Sequence, residues 1–415
     1  MNTTPKSLRL HIGIFGRTNV GKSSFLNMVA GQDVAITSPL PGTTTDVVEK
    51  PMELLPIGPV VFLDTGGIND VTVLADQRIK KTAGIFDRSE IVVLVTTPGI
   101  WTEHEDHIAQ EAQKRKLPVL VAVNKIDMES PAQAWVDKIK DVSPHIVLCS
   151  SVDEENNERY RTLVREALIS LCPQEFLHPL PLIGDLLLPG GVVVLIVPID
   201  LQAPAGRLIL PQVQTIRDAL DADAMALVVK EREYTQALAS LKQKPSLVVC
   251  DSQVVMKMVA DTPADVPCTT FSTLFMRYKG DLVQAVRAAA LIDTLVPGDK
   301  VLIAESCSHH PLQDDIGRVK IPRWLRQYTG KDLVIDTCAG RDFPDNLKTY
   351  KLVIHCGACM LTRREMLARI ARTTEAGVPM TNYGVAISLL QGVLPRVLSP
   401  FPAALDALKR EKKKG

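Results

Sequence analysis

The run Gly16-Arg17-Thr18-Asn19-Val20-Gly21-Lys22-Ser23 has the spacing of a loop that wraps nucleotide phosphates. Its glycines let backbone N–H groups approach the phosphate oxygens, Lys22 reaches the β and γ oxygens, and Ser23, followed by Ser24, offers a hydroxyl to Mg2+. The run follows the apolar stretch Ile12-Gly13-Ile14-Phe15 and opens a helix-like one, the context such a loop requires. Further elements arrive in the order a guanine-nucleotide switch needs. Thr44, in Pro41-Gly42-Thr43-Thr44-Thr45-Asp46, is expected to meet Mg2+ and the γ-phosphate. Asp64 and Gly67, in Asp64-Thr65-Gly66-Gly67, would hold Mg2+ through water and sense the γ-phosphate. Asn124-Lys125-Ile126-Asp127 then selects the base, because Asp127 accepts from the N1–H and exocyclic amine of guanine while Lys125 lies along the ring. Adenine presents the reverse pattern and would leave that carboxylate unpaired. Ser150-Ser151 fit the last element, whose N–H groups meet the guanine carbonyl. The chemistry implied is hydrolysis of GTP, with Lys22, Ser23, Thr44, Asp64 and Gly67 as its catalytic set. Ile68 leaves no glutamine after the switch glycines to orient water, so the reaction needs another source of positive charge.

A second constellation lies near the other end. Cys307-Ser308-His309 follows the apolar run Val301 to Ala304, and His355-Cys356-Gly357-Ala358-Cys359 follows Leu352 to Ile354. Both would project from strand carboxyl ends into one crevice. Cys307, Cys356 and Cys359, with His309, His310, His355 or Glu305 as a fourth ligand or site-lining group, are compatible with a 4Fe-4S cluster, with closed Cys3His zinc, or with unmetallated thiols. Spacing alone leaves those three open. Cys149, Cys172, Cys250, Cys268 and Cys338 lack such companions and read as small buried hydrophobes.

The elements that must position these groups are legible as alternating patterns. From Leu10 to about Cys172, the runs at Ile12, Val60, Ile91, Val119 and Ile146 are continuous apolar strands separated by helices, which implies a parallel sheet covered on both faces. Residues 8–172 therefore read as an α/β P-loop domain and the proline- and leucine-rich 173–190 as a linker. Residues 191–268 read as a small α/β unit with strands at Val192 to Pro198, Met225 to Val229 and Leu247 to Cys250. Residues 269–402 read as a third α/β unit, with a helix over Phe271 to Ala290, strands at Val301 to Ala304, Leu333 to Ile335 and Leu352 to Ile354, and a helix over Arg363 to Ala376. Residues 403–415 read as a basic, frayed tail.

With 47 lysines and arginines against 47 aspartates and glutamates, bulk charge gives no support to a nucleic-acid partner. No signal-peptide pattern and no apolar run of spanning length is present, so a cytoplasmic protein without a membrane is expected, and its 8 cysteines read as thiols or ligands rather than disulfides.

The nucleotide run resembles translation-factor-type GTPases related to Era and the tRNA-modification GTPases, in some of which a P-loop asparagine helps bind an activating K+. Asn19 matches that position, and an amide that merely stabilises the loop is the alternative. The whole pattern, a GTPase followed by Cys-x-His, 45 intervening residues and His-Cys-x-x-Cys, resembles the FeFe-hydrogenase maturation GTPase family, HydF, as does Thr381-Asn382-Tyr383-Gly384. The resemblance implies that the middle unit is a dimerisation domain forming a homodimer and the third an iron-sulfur cluster-binding domain. It implies that Cys307, Cys356 and Cys359 ligate the cluster with His309 and His355 at the site. It also implies a scaffold or carrier role, in which a transient 2Fe precursor of the H-cluster, built by the radical-SAM maturases HydE and HydG, is delivered to apo FeFe-hydrogenase. The competing readings are an RNA-modification or ribosome-assembly GTPase with structural zinc, and a redox-sensing GTPase without cargo.

Overall fold

Runs of valine, leucine and isoleucine without polar alternation can be buried on both sides only when helices cover both sheet faces. A computed structural model describes residues 5–31, 48–64, 82–177, 180–198, 208–306, 315–340 and 343–413, and in it those runs are strands. The chain divides into two compact units, Met1–Pro179 and Leu180–Gly415, at a point inside the segment read as a linker.

The first unit holds one sheet. Its strands are β1 (Leu10–Phe15), β2 (Val48–Leu54), β3 (Gly58–Asp64), β4 (Ile91–Thr96), β5 (Val119–Val123) and β6 (Ile146–Leu148), in the order β2-β3-β1-β4-β5-β6. All pairs are parallel except β2 with β3. Leu10, Ile12, Phe62, Val93 and Leu120 face one core with Phe25 and Leu26 of α1 (Lys22–Ala30). Phe15, Leu63 and Leu94 face another with Ile108 and Ala112 of α2 (Glu103–Lys114). Strand β2 escapes sequence reading because Val-Glu-Lys-Pro-Met-Glu-Leu is charged and contains Pro51. Such a strand is tolerated at an edge, where one side of the backbone makes no ladder bonds.

The second unit holds two wholly parallel sheets. β7 (Val192–Ile196), β8 (Met225–Val229), β9 (Leu247–Cys250) and β10 (Cys268–Thr270) lie in the order β10-β9-β7-β8. β11 (Lys300–Ala304), β12 (Val334–Cys338), β13 (Leu352–His355) and β14 (Met380–Asn382) lie in the order β12-β11-β13-β14. One contiguous apolar core serves both sheets and includes Leu182 and Ile183 of the expected linker.

Three expectations change here. The helix expected over 271–290 is two, α3 (Phe271–Lys279) and α4 (Leu282–Ala290), because Gly280 ends the first and the Asp281 side chain caps the second through Gln284 N–H. The strand expected at Leu333 begins one residue later and runs to Cys338. The expected frayed tail is instead a helix, α6 (Pro402–Glu411), whose Ala404, Ala407 and Leu408 are buried at i, i+3, i+4 spacing. Its Lys409 and Arg410 sit in the last turn, where the helix dipole favours cations. Between these lies α5 (Arg363–Glu375), close to the expected bounds.

Candidate functional site

In the first unit the loop from β1 to α1 is shaped by backbone conformations that side chains resist. Gly16 and Gly21 have φ of 144° and 89°, and a Cβ on Gly21 would lie 2.4 Å from Asn124 Nδ2. Asn124 is the hub of this end of the sheet. Its Nδ2 donates to Val20 O at 3.0 Å, and its Oδ1 accepts from Ser151 N–H at 3.0 Å and Ser151 Oγ at 2.8 Å. Lys125 Nζ donates to Asn19 O at 2.7 Å. The segments carrying Gly16 to Ser24, Asn124 to Asp127, and Ser150 and Ser151 are thereby brought to one edge, with Thr18, Asn19, Ser23, Ser24 and Asp127 exposed and Ser150 buried.

Lys22 is buried and donates to Gly16 O and Arg17 O, each at 2.8 Å. Burial lowers its pKa, against the opposing pull of Asp64. A desolvated ammonium whose hydrogen bonds, among the described residues, go to carbonyls is suited to an incoming anion. Asp64 ends β3, buried, with Lys50 Nζ 3.9 Å from Oδ2. Arg17, expected among the nucleotide contacts, gives its Nε to Glu105 Oε1 at 2.8 Å. Glu105 closes the capping box of α2, accepting from Thr102 N–H at 2.9 Å. Burial works to raise the Glu105 pKa, but its hydrogen bonds with Thr102 and Arg17 lower it. The Thr102-x-x-Glu105 spacing is the signal that could have found that box, which sequence reading missed; the tie to Arg17 leaves no such signal. Thr44, Gly67 and Ile68 lie outside the described residues.

In the second unit, register sets the other site. Ala304 pairs with Cys338 on one side and His355 on the other, and His355 pairs with Asn382, so four parallel strands end level. Cys356 and Cys359 follow directly from β13. Cys356 Sγ is met by Ser306 N–H at 3.2 Å and Ser306 Oγ at 3.0 Å. Burial raises the Cys359 pKa, while Lys279 and the backbone N–H groups of Cys359 and Met360 pull it down. Cys307, His309 and His310 lie outside the described residues, and among the described residues no three potential ligands cluster around one point.

Two of the fourth-ligand candidates have other partners. His355 is fully buried, with Nδ1 2.8 Å from Cys356 O and Nε2 2.8 Å from Arg369 Nη1. The guanidinium can only donate, so Nε2 accepts and Nδ1 carries the proton. Burial and Arg369 push its pKa down to about 3. Both nitrogens are engaged in this arrangement, and His355 lines the site by fixing the Cys356 carbonyl. Glu305 is buried, with Oε2 3.3 Å from Arg318 Nε and Oε1 3.3 Å from Tyr383 Oη. Each oxygen keeps a second lone pair. The Thr381-Asn382-Tyr383-Gly384 segment thus has a physical reading. Asn382 caps the following helix at Val385 N–H and holds Ser272 O at 2.7 Å, and Tyr383 reaches Glu305.

Sequence reasoning missed the two cations behind this loop. Lys279, buried, donates to Leu361 O at 2.6 Å, Ala358 O at 2.9 Å and Cys359 O at 3.4 Å, and burial pushes its pKa down to about 8. Arg369 gives its other arm to Gly340 O at 2.6 Å and stacks over Phe343. Their hydrogen bonds go to carbonyls and an imidazole, with Glu365 adding only a charge–charge pull on each, and buried positive charge in that state favours an anion beside it.

Residues 182–280 match the hydrogen maturase F dimerization domain, 283–400 the hydrogen maturase F tetramerization domain, and 11–125 the 50S ribosome-binding GTPase family. The curated tRNA modification GTPases that it resembles match a minor part of the chain. The tRNA modification GTPase MnmE of Nitrosomonas eutropha is 32% identical over 120 residues, 29% of this chain and 26% of that protein. The MnmE of a Synechococcus strain is 39% identical over 136 residues, 31% and 27%. The chain thus spans about a quarter of the length of these relatives. Among solved structures, the G domain of T. maritima FeoB (TM-score 0.30, 20% identity, 38% of this chain and 98% of that one) and Aquifex aeolicus Era (0.32, 22%, 55% and 97%) are similar, too slightly to argue from. Two hydrogen maturase F domains in succession behind a GTPase domain settle the affiliation: the chain belongs to the hydrogen maturase F family and carries a P-loop GTPase domain at its front.

Proposed function

We propose that GTP hydrolysis at Lys22, Ser23, Thr44, Asp64 and Gly67 governs association with partners, while Cys307, Cys356 and Cys359 anchor a 4Fe-4S cluster beside which a 2Fe precursor is received and passed to apo FeFe-hydrogenase. On this reading Gly16 to Ser24 cradle the phosphates, Asn124, Lys125, Asp127, Ser150 and Ser151 hold the base, and Ser23 and Thr44 hold Mg2+. Asn19 is the candidate site for K+, which would supply the positive charge that an arginine finger provides elsewhere. HydE, HydG and the hydrogenase are the partners proposed, with a homodimer as the basic assembly and the cytoplasm as its place.

The observation that carries the cluster reading is the setting of the Cys356-Gly357-Ala358-Cys359 loop. Its sulfurs lie at the carboxyl ends of a parallel sheet, faced by Ser306 and backbone donors and backed by Lys279 and Arg369. Donors and cations around thiolates suit an anionic, sulfur-ligated group. When bound, the cluster supplies a one-electron centre with one exchangeable iron. Cys356 and Cys359 would be two of its anchors, Ser306 would keep Cys356 Sγ oriented, and Glu305, held by Arg318 and Tyr383, is a fourth-ligand candidate beside His309 and His310.

The test is anaerobic reconstitution with iron and sulfide of the wild type and a Cys356→Ser variant, read by metal and sulfide content and by EPR after reduction. About four irons and four sulfides per chain, with a reduced-cluster signal lost in the variant, are expected. Stoichiometric zinc without sulfide would replace this reading with a structural metal site.

A further inference from the structure

The Cys356-to-Cys359 loop closes on itself through Ala358, whose φ of 53° is left-handed and unusual for a residue with a Cβ. Such a turn persists only if its surroundings over-determine it. Beside the backbone bond from Leu361 N–H to Ala358 O at 3.2 Å, one side chain reaches the carbonyls of this turn. Lys279, the last residue of α3, enters from the helix side and gives its three N–H bonds to Ala358 O, Cys359 O and Leu361 O. Three carbonyls match the three donors of an ammonium and exceed the two of a neutral amine.

The direction of those bonds matters for the sulfur. A trans peptide sends its C=O and the following N–H to opposite sides. Turning Ala358 O and Cys359 O toward Lys279 therefore turns the N–H groups of Cys359 and Met360 away from it. Burial raises the Cys359 thiol pKa, and the N–H groups of those two residues, with Lys279, work to lower it. N–H dipoles directed at a ligating sulfur, and positive charge behind it, both favour the more negative, reduced state of an iron-sulfur centre.

We infer that Lys279 is a positioning residue for the Cys356–Cys359 loop, holding its carbonyls inward so that its N–H groups face the Cys359 sulfur, and that it raises the reduction potential of the centre those thiolates hold. The inference rests on the cluster reading above. The side chain touches neither sulfur, so its effect passes through the backbone of the loop and through its charge. Phe275, whose ring centroid is 5.4 Å from Nζ, walls the ammonium from the helix side.

The experiment compares full-length wild type, Lys279→Arg, Lys279→Gln and Lys279→Met after anaerobic reconstitution, by iron and sulfide content and by EPR-monitored redox titration. Lys279→Met is expected to lower the midpoint by at least a tenfold change in the oxidised-to-reduced ratio at a given poise, about 59 mV for one electron. Its EPR line shape should change as well. Lys279→Arg should recover most of the shift, and Lys279→Gln, which donates without charge, only part of it. An unchanged midpoint and line shape in Lys279→Met overturns the inference while leaving the cluster standing. Where Lys279→Met fails to fold, equal midpoints in the Arg and Gln variants overturn it, and a lower one in Gln supports it. A wild type that takes up no iron and sulfide removes the cluster reading itself.

Discussion

Gly21 concentrates the constraints on the nucleotide loop. Its φ of 89° belongs to glycine, and an added Cβ would sit 2.4 Å from Asn124 Nδ2, the atom that ties the loop to β5. An alanine there must push the asparagine aside, and with it the two bonds from Ser151 to the other end of the amide. Strain of this kind costs roughly 1–3 kcal/mol. Gly21→Ala is therefore expected to weaken GTP binding by about tenfold or more. Titration calorimetry with a non-hydrolysable GTP analogue checks this, and affinity within about twofold of wild type would remove Gly21 and Asn124 from the proposed binding set. Lys22 belongs to the same balance. Its ammonium is desolvated and rests on the carbonyls of its own loop, so an arriving phosphate trades weak acceptors for charged ones.

Among the elements, β2 was invisible from sequence yet is pinned by charge. Burial works to raise the Glu49 carboxyl, but hydrogen bonds from Lys6 and Arg88 outweigh it and hold its pKa down to about 2, against 4.5 for a free side chain. A depressed carboxyl stabilises the fold fully above its unfolded pKa, and the contribution fades as pH falls from about 4.5 toward about 2. Screening at the exposed Lys6 end reduces it to roughly 2 kcal/mol. Urea unfolding followed through Trp101 and Trp135 should show a lower midpoint for Glu49→Gln than for wild type near neutral pH. The gap should shrink in acid; one that stays constant with pH would sink the assignment. Strands buried on both faces, such as β4 and β7, were legible because nothing polar interrupts them. Edge strand β2 was not, since charge and Pro51 break the pattern, and β12 was legible only at its start, since Asp336 and Thr337 interrupt it. The cysteine loop was legible as a motif, but its organisers were not. Lys279 lies 79 residues from Ala358, and Glu105 lies 88 from Arg17, so only the folded chain joins them.

For the whole molecule, the match of residues 182–280 to a dimerization domain and 283–400 to a tetramerization domain makes oligomerisation part of the design, and each sheet of the second unit ends in an edge strand that could serve it. β8 is the last strand of its sheet and carries exposed Met225 and Val228, with Val213 and Leu220 exposed on the preceding helix Leu210–Asp221. An edge of that kind presents unpaired backbone N–H and C=O groups beside apolar side chains, and natural proteins cover such edges or charge them. Nothing along β8 is charged, so pairing with a second copy is the reading that leaves neither the backbone nor the methyl groups in water. β12 differs in degree, since its exposed Val334 is followed by Asp336 and Thr337. Lysines at Met225 and Val228 together are therefore expected to lower the assembly mass in light scattering, with the GTP hydrolysis rate per chain unchanged because Lys22 and Asp64 belong to the other unit. Val334→Lys should disturb at most the higher-order step. Should the double variant keep the wild-type mass while Val334→Lys dissociates it, the primary contact would belong to β12 and the sheet of Cys356 would form the first interface.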